Sequence, residues 1–86
     1  MIENSEVDNM AKVIVYSTPT CPHCVHAKHF LKEHNIPFDD VNVAADRAKA
    51  QEMIEKSGQM GVPVIDIDGE IIIGFDQGRM EEILNI

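Results

Sequence analysis

The sequence predicts an α/β domain with the element order β-α-β-α-β-β-α, built as a four-stranded mixed sheet flanked by three helices. Three observations lead to this fold class. An apolar, β-branched run at residues 12–17 passes directly into a helical pattern at residues 22–35. A second strand and helix follow, so that the first half reads as a βαβ unit with parallel strands. Asp68-Gly69 then separates two strand-like runs, as in a tight hairpin.

The first helix follows the first strand after a short turn. Pro22 suits its first position, because the amide there has no intrahelical partner to lose. The side chains that recur at helical spacing are Cys24, Ala27, Leu31 and His34, with Val25 and Phe30 beside them. Pro37 marks the end of the helix, since the residue before a proline avoids the helical region.

The rest of the chain supplies three strands and two helices. Residues 38–43 predict a strand whose weak alternation places it near an edge of the sheet. Residues 45–57 predict a helix that ends at Gly58, a typical C-terminal cap. The remaining elements are hairpin strands at residues 62–67 and 70–73 and a last helix at residues 76–84.

Composition limits the classes of protein to consider. A chain of 86 residues is long enough for one modest core. Its 15 acidic and 7 basic side chains give a net charge of −8, which opposes binding to nucleic acid or to an anionic membrane. No secretory signal or transmembrane run is visible, so we expect a cytoplasmic protein. We also expect a monomer. Residues 1–10 are expected to form an acidic, flexible arm ahead of a domain at residues 11–86.

The two cysteines, Cys21 and Cys24, lie at the predicted strand-to-helix turn. A bridge between them closes a tiny loop and removes little chain entropy, so the pair is a poor structural staple. In a reducing compartment such a pair indicates catalysis or metal binding. If Pro22 opens the helix, Cys21 is its N-cap, and its sulfur faces the free amides of His23 and Cys24. This position favours the thiolate, which is the nucleophile in disulfide exchange.

The chain resembles the thioredoxin fold in three features. They are the element order, the Cys-x-x-Cys at the first strand-to-helix turn and the Val62-Pro63 pair that opens the hairpin. The short chain, the absence of Trp and the Val-Pro pair are similar to its glutaredoxin branch, in particular to small glutaredoxin-like redoxins of bacteria and archaea. The Gly-Phe-Asp segment at residues 74–76 adds to the resemblance, which covers about residues 12–84.

The resemblance implies a dithiol–disulfide oxidoreductase that reduces protein or small-molecule disulfides. In this reaction Cys21 attacks, and Cys24 resolves the mixed disulfide. Pro22 and His23 modulate the couple; a cationic His23 would make it more oxidising, whereas a neutral, exposed one would have little effect. No bound cofactor is implied, and the electrons come from glutathione or from a thioredoxin-reductase-type flavoprotein.

The resemblance also implies a substrate groove beside the cysteines. Its residues are Thr18, Met60, Val62, Pro63, Gly74, Phe75 and Asp76. Pro63 is expected to be cis, which exposes the backbone of Val62 to an extended substrate segment; the alternative is a trans proline at a strand start. Met60 could instead pack in the core, and Asp76 could act only as the N-cap of the last helix.

Two departures from the glutaredoxin pattern bear on the electron donor. Glutaredoxins that use glutathione usually carry a basic residue three positions before the first cysteine, where this chain has Thr18. They also usually carry Gly-Gly and paired aspartates where residues 74–77 are Gly-Phe-Asp-Gln. Both features help to hold the carboxylates of glutathione, so the sequence favours the flavoprotein.

Two other functions stay open at this point. His26 and His29 join the two cysteines in a compact cluster of the ligand types that zinc prefers, and two glutaredoxins can share an iron–sulfur cluster. A metal or iron–sulfur carrier is therefore the alternative, although only part of the histidine face can also turn toward Cys21, and no metal ligand is assigned. The third hypothesis is an interaction module with a vestigial cysteine pair.

Overall fold

The structure, a computed structural model, describes residues 12–85 and contains the elements in the predicted order. The strands are β1 (Val13–Ser17), β2 (Asp39–Asn42), β3 (Val64–Ile67) and β4 (Glu70–Ile73). The helices are α1 (Pro22–Glu33), α2 (Arg47–Ser57) and α3 (Gln77–Leu84). Each element lies within its predicted range, and the fold class is confirmed. The predicted arm at residues 1–10 lies outside the described residues.

The sheet is mixed, with the strand order β2-β1-β3-β4. β1 pairs with β2 in parallel, as the βαβ prediction requires, and the other two pairings are antiparallel. β2 is the edge strand that its weak alternation predicted. The β3–β4 turn places Asp68 and Gly69 at φ 52° and 93°, which is the positive φ that a tight hairpin turn needs at both positions.

Several predicted element ends differ from the structure by one or two residues. α1 ends at Glu33 rather than at residue 35, because Asn35 adopts the left-handed region (φ 58°) that asparagine tolerates and that ends helices. α2 and α3 each begin after an extended aspartate, Asp46 or Asp76, whose carboxylate caps the helix from outside it. β3 begins at Val64, so the Val-Pro pair precedes the strand instead of opening it.

The inward face of α1 also differs in part from its prediction. Cys24, Ala27, Phe30 and Leu31 are its buried residues. Val25 is 55 % exposed. His34 is exposed as well, because the helix has ended there, and its ring lies against Phe30 with a centroid separation of 4.5 Å. The inward face therefore ends one turn earlier than the spacing predicted.

Helices cover both faces of the sheet, so that each side of β1 contributes to a separate core. On one side Val13 and Val15 pack with residues of α1 and with Met80 of α3. On the other side Tyr16 packs with Met53 of α2 and with Val64. Alternate residues of a strand point to opposite faces, which explains the division. The result places the carboxyl end of central strand β1, and the turn after it, at one end of the molecule.

A partly buried polar network attaches α2 to the sheet. Tyr16 donates a hydrogen bond to Glu52, and the Lys56 ammonium donates to the Tyr16 hydroxyl at 2.7 Å and to the Asp66 carboxylate at 2.6 Å. Asp66 lies on β3 and is only 8 % exposed. Its second oxygen accepts from the amide of Gly69 at 2.8 Å, so the buried carboxylate has a partner on each oxygen.

None of the helices within residues 12–85 combines the length and the apolar character needed to cross a lipid bilayer.

Candidate active site

Cys21 occupies the N-cap of α1, as predicted. Its backbone is extended (φ −99°, ψ 112°), and Pro22 follows as the first helical residue. The amide of Cys24 donates to Cys21 Sγ at 3.2 Å. Within the described residues the His23 amide makes no such bond, so one of the two predicted amide contacts forms. Cys21 is half-buried, so the residue is partly accessible to a partner in solution.

Cys24 lies one turn further along α1 and is 0 % exposed. Burial raises the pKa of its thiol to about 11, because the thiolate would lack water, and the hydrogen bond with Cys21 adds to this effect. The backbone of Thr18 and the ammonium of Lys28 act in the opposite direction. Both thiols are free, and they differ in accessibility as the sequence predicted.

Ser17 on β1, Lys28 on α1 and Asp40 on β2 form a polar cluster, here called the Lys28 cluster. The Lys28 ammonium is 3.1 Å from Asp40 Oδ2 and donates to Ser17 Oγ at 3.3 Å. Ser17 Oγ in turn donates to Asp40 Oδ1 at 3.1 Å. No sequence pattern predicted this cluster. The available signal was the spacing of four between Cys24 and Lys28, which puts both on one side of α1.

The loop before β3 borders Cys21. The Val62–Pro63 bond is cis, and Cys21 Sγ donates to the Val62 carbonyl at 3.9 Å. Met60 is 78 % exposed, so the alternative that it packs in the core is wrong. Thr18 also contacts Cys21, because its carbonyl accepts from the Cys21 amide at 3.4 Å. The structure thus brings Thr18 and Val62 into contact with Cys21.

The segment 74–76 has a different set of contacts. Gly74 has φ 81° and donates its amide to the Pro63 carbonyl at 2.8 Å, which connects this segment to the loop before β3. The ring of Phe75 lies 5.9 Å from that of Phe30 on α1, measured between centroids. Asp76 caps α3 by accepting from the Arg79 amide at 3.1 Å. The capping role proposed for Asp76 is therefore present.

The histidines of α1 line its outer surface. His23 and His26 are exposed, with ring centroids 6.5 Å apart, and His29 lies 3.8 Å from the Glu33 carboxylate. Residues of this surface line a groove of about 270 Å³ together with Phe75, whose ring centroid lies 6.5 Å from that of His26. Across residues 12–85, no three His, Cys, Asp or Glu side chains are grouped so that they could hold one metal ion together.

The fold and the site define a class of protein. The chain has a mixed four-stranded sheet covered by three helices, a Cys-x-x-Cys pair at the start of the first helix and a cis Val-Pro bond beside that pair. These features together define a thioredoxin-fold dithiol protein. Comparison with known proteins narrows the class. The sequence profile described as Glutaredoxin matches residues 13–72.

Individual relatives agree with this match. An uncharacterized glutaredoxin-like 8.6 kDa protein in the rubredoxin operon of Clostridium pasteurianum is 51 % identical over 70 residues, which are 81 % of this chain and 93 % of that protein. Glutaredoxin 3 of Escherichia coli K12 is 40 % identical over 67 residues, which are 78 % of this chain and 81 % of the length of that glutaredoxin. A solved mutant of the thioredoxin-like protein BC3987 superposes with a TM-score of 0.83 at 35 % identity, covering 87 % and 96 % of the two chains. The chain belongs to the glutaredoxin family, and it is a thiol–disulfide oxidoreductase.

Proposed function

We propose that the chain reduces disulfides by a dithiol mechanism in which Cys21 attacks and Cys24 resolves. The contrast between the two sulfurs carries this proposal. Cys21 is accessible and accepts an amide hydrogen bond at a helix N-terminus, which stabilises negative charge. Cys24 is fully buried, and its pKa of about 11 keeps its proton in place at neutral pH. Cys21 is therefore the thiol that can attack a substrate disulfide.

The reaction is a pair of thiol–disulfide exchanges. The Cys21 thiolate attacks one sulfur of the substrate, and the other sulfur leaves as a thiolate that takes a proton from water. Cys24 then gives up its proton and attacks Cys21 Sγ, which releases the second substrate thiol and leaves the Cys21–Cys24 disulfide. Two electrons pass from the protein to the substrate. No bound cofactor takes part.

The substrate segment is proposed to bind along the loop before β3. Val62 offers backbone groups next to Cys21 Sγ, where an extended chain can pair with them. Met60, two residues before Val62 in the chain, adds an exposed apolar side chain, and Thr18 contacts Cys21 through its carbonyl. Residues 74–76 supply a more distant wall next to Pro63. Pro22 shapes the helix start, and His23 modulates the couple.

For the electron donor we favour a thioredoxin-reductase-type flavoprotein over glutathione. Thr18 leaves the flank of Cys21 without the basic side chain that would attract a glutathione carboxylate. The cations within four positions of a site residue are each paired with an acidic side chain: Lys28 with Asp40, Lys56 with Asp66, and Arg79 with Glu70 and Glu82. Disulfide-containing proteins are the proposed substrates, reduced in the cytoplasm by a monomer.

Replacement of one cysteine at a time tests this proposal. Cys24→Ser should still form a mixed disulfide with a disulfide-bonded protein, because Cys21 remains, but cannot release it. Cys21→Ser should form none. Non-reducing electrophoresis and intact mass after incubation with a small disulfide protein measure the trapped species. Trapping by the Cys21 variant, or continued turnover by the Cys24 variant, would contradict the assignment of the two roles.

A further inference from the structure

The Lys28 cluster holds the Lys28 ammonium in a fixed position, one turn of α1 beyond Cys24. Ser17 is the last residue of β1 and only 2 % exposed, so its hydroxyl is held between the sheet and α1. The Lys28 ammonium donates hydrogen bonds to this hydroxyl and to the carboxylate of Asp40 on β2. Three elements thus determine where the positive charge lies. An exposed lysine without such contacts would sample many rotamers.

The fixed charge lies on the same side of α1 as the buried sulfur. Lys28 follows Cys24 by four positions, which places the two side chains one turn apart on one face of the helix. The cluster also borders a cleft of about 250 Å³ that reaches the Cys21 flank, lined by Ser17, Thr18, Pro19, Lys28, Asp40 and Asn42. Pro19, Asp40 and Asn42 are exposed, so the cleft opens to solvent.

We propose that Lys28, held by Asp40 and Ser17, is a positioning residue for the second step, in which its ammonium stabilises the Cys24 thiolate that resolves the mixed disulfide. This inference rests on the proposed function. It assigns to the cluster a part in one step only, the exchange between Cys24 and Cys21.

The step balances without a further reactant. The Cys24 thiol gives its proton to water, and the thiolate attacks Cys21 Sγ. The Cys21–Cys24 bond forms while the bond from Cys21 to the substrate sulfur breaks, and the electron pair leaves with that sulfur, which solvent protonates. Within residues 12–85, the charged side chains of the cluster are Lys28 on α1 and Asp40 on β2, and the Cys21 thiol is hydrogen-bonded to that of Cys24. Burial raises the pKa of Cys24 and Lys28 opposes that rise, which agrees with the proposed role.

A small aromatic disulfide, 4,4′-dithiodipyridine, separates the two steps in a stopped-flow experiment. Attack by Cys21 releases one coloured thiopyridone, and resolution by Cys24 releases the second. Lys28→Met should slow the second release about three- to tenfold, because it removes a nearby positive charge from a developing thiolate, and should leave the rate of the first within about twofold. Lys28→Arg should restore the second rate to within about threefold. Lys32→Met removes the same charge one turn further from Cys24 and should change neither phase.

The pH profile distinguishes this role from a packing role. In Lys28→Met the profile of the second phase should move to higher pH by about 0.5 to 1 unit, since the thiolate has become less stable. A variant that merely displaces Cys24 lowers the rate without moving the profile. Urea unfolding monitors the fold, and Lys28→Gln provides a second neutral variant if the Met variant does not fold.

Three results would overturn the inference. The first is a second phase of wild-type rate in both neutral variants, and the second is a slower phase whose pH profile has not moved. The third is an equal loss in Lys32→Met. A first phase that persists in Cys21→Ser has a different meaning, because it overturns the proposed function and this inference together.

Discussion

The buried thiol of Cys24 makes the stability of the reduced protein depend on alkaline pH. Its pKa of about 11 in the folded protein exceeds the ordinary value near 9, because burial disfavours the thiolate. Between these values the unfolded chain has lost a proton that the folded chain keeps. The resulting stabilisation is complete below the lower pKa and disappears as the pH rises toward the higher one.

We therefore expect the free energy of unfolding of the reduced protein to fall by about 2 kcal/mol more than that of Cys24→Ser between pH 8 and pH 11. Serine does not titrate in this range, while the titrating groups that do not contact residue 24 are common to both proteins and cancel in the difference. Urea titrations in the presence of a phosphine reductant measure both curves. If the two curves stay parallel over the whole range, the Cys24 thiol is not held protonated by burial.

At the level of the elements, α2 depends on the polar network as well as on apolar packing. Burial lowers the pKa of Lys56, but the hydrogen bonds to Asp66 and Tyr16 outweigh it, and the pKa lies above its usual value. Burial and the bond to Glu52 raise the pKa of Tyr16, while that bond lowers the pKa of Glu52. These directions agree with a Tyr16 hydroxyl that donates to an ionised Glu52.

Lys56→Met should destabilise the protein by about 2 to 4 kcal/mol, because it leaves the Asp66 carboxylate buried without its cation. Lys49→Met is a matched control on the same helix, since the Lys49–Glu52 pair is exposed, and it should cost about 0.5 kcal/mol or less. Denaturant unfolding measures both. The double change Lys56→Met with Asp66→Asn should recover part of the loss; equal effects of the two lysine variants would contradict a structural role for the network.

At the level of the elements, the sequence predicts a feature well when residues close together in the chain determine that feature. The N-cap at Cys21 follows from Pro22, its neighbour, and the hairpin follows from Asp68-Gly69. The Lys28 cluster instead requires the parallel register that sets Ile14 opposite Asp39 and Val15 opposite Asp40, which no local pattern reveals.

The early end of α1 has a similar explanation. Pro37 correctly indicated that the helix ends before it, but the end itself lies at the left-handed Asn35, a conformation that asparagine adopts only in some contexts. The burial of Asp66 was equally hidden, because strand alternation does not show that a lysine from α2 will meet a carboxylate on β3.

For the whole molecule, net charge affects the choice of electron donor. With a charge of −8 the protein repels small anions at a distance, and glutathione is an anion at neutral pH. Turnover of a disulfide substrate should therefore be at least about tenfold faster with NADPH and thioredoxin reductase than with glutathione and glutathione reductase. Coupled NADPH oxidation at matched protein concentrations measures both rates, and the opposite ranking would contradict our choice of donor.

The variant Thr18→Lys sharpens this comparison. A lysine three positions before Cys21 adds a cation on the flank of the attacking sulfur, so the KM for glutathione should fall about three- to tenfold. The rate with thioredoxin reductase should change less. Thr18→Gln, a neutral change of similar reach, is the control. If the lysine variant leaves the glutathione KM unchanged, the missing cation is not what limits glutathione use.

The outer strand β2 also has a consequence for solubility. Its exposed residues Asp39 and Asp40 are adjacent, and each has a lysine partner, Lys12 at 3.3 Å and Lys28 at 3.1 Å. A foreign strand that hydrogen-bonded to this open edge would bring its own side chains against two carboxylates and compete with those lysines. Charged residues on an edge strand discourage such pairing. The same aspartate that holds Lys28 behind the cysteines thus also protects one border of the sheet from uncontrolled association.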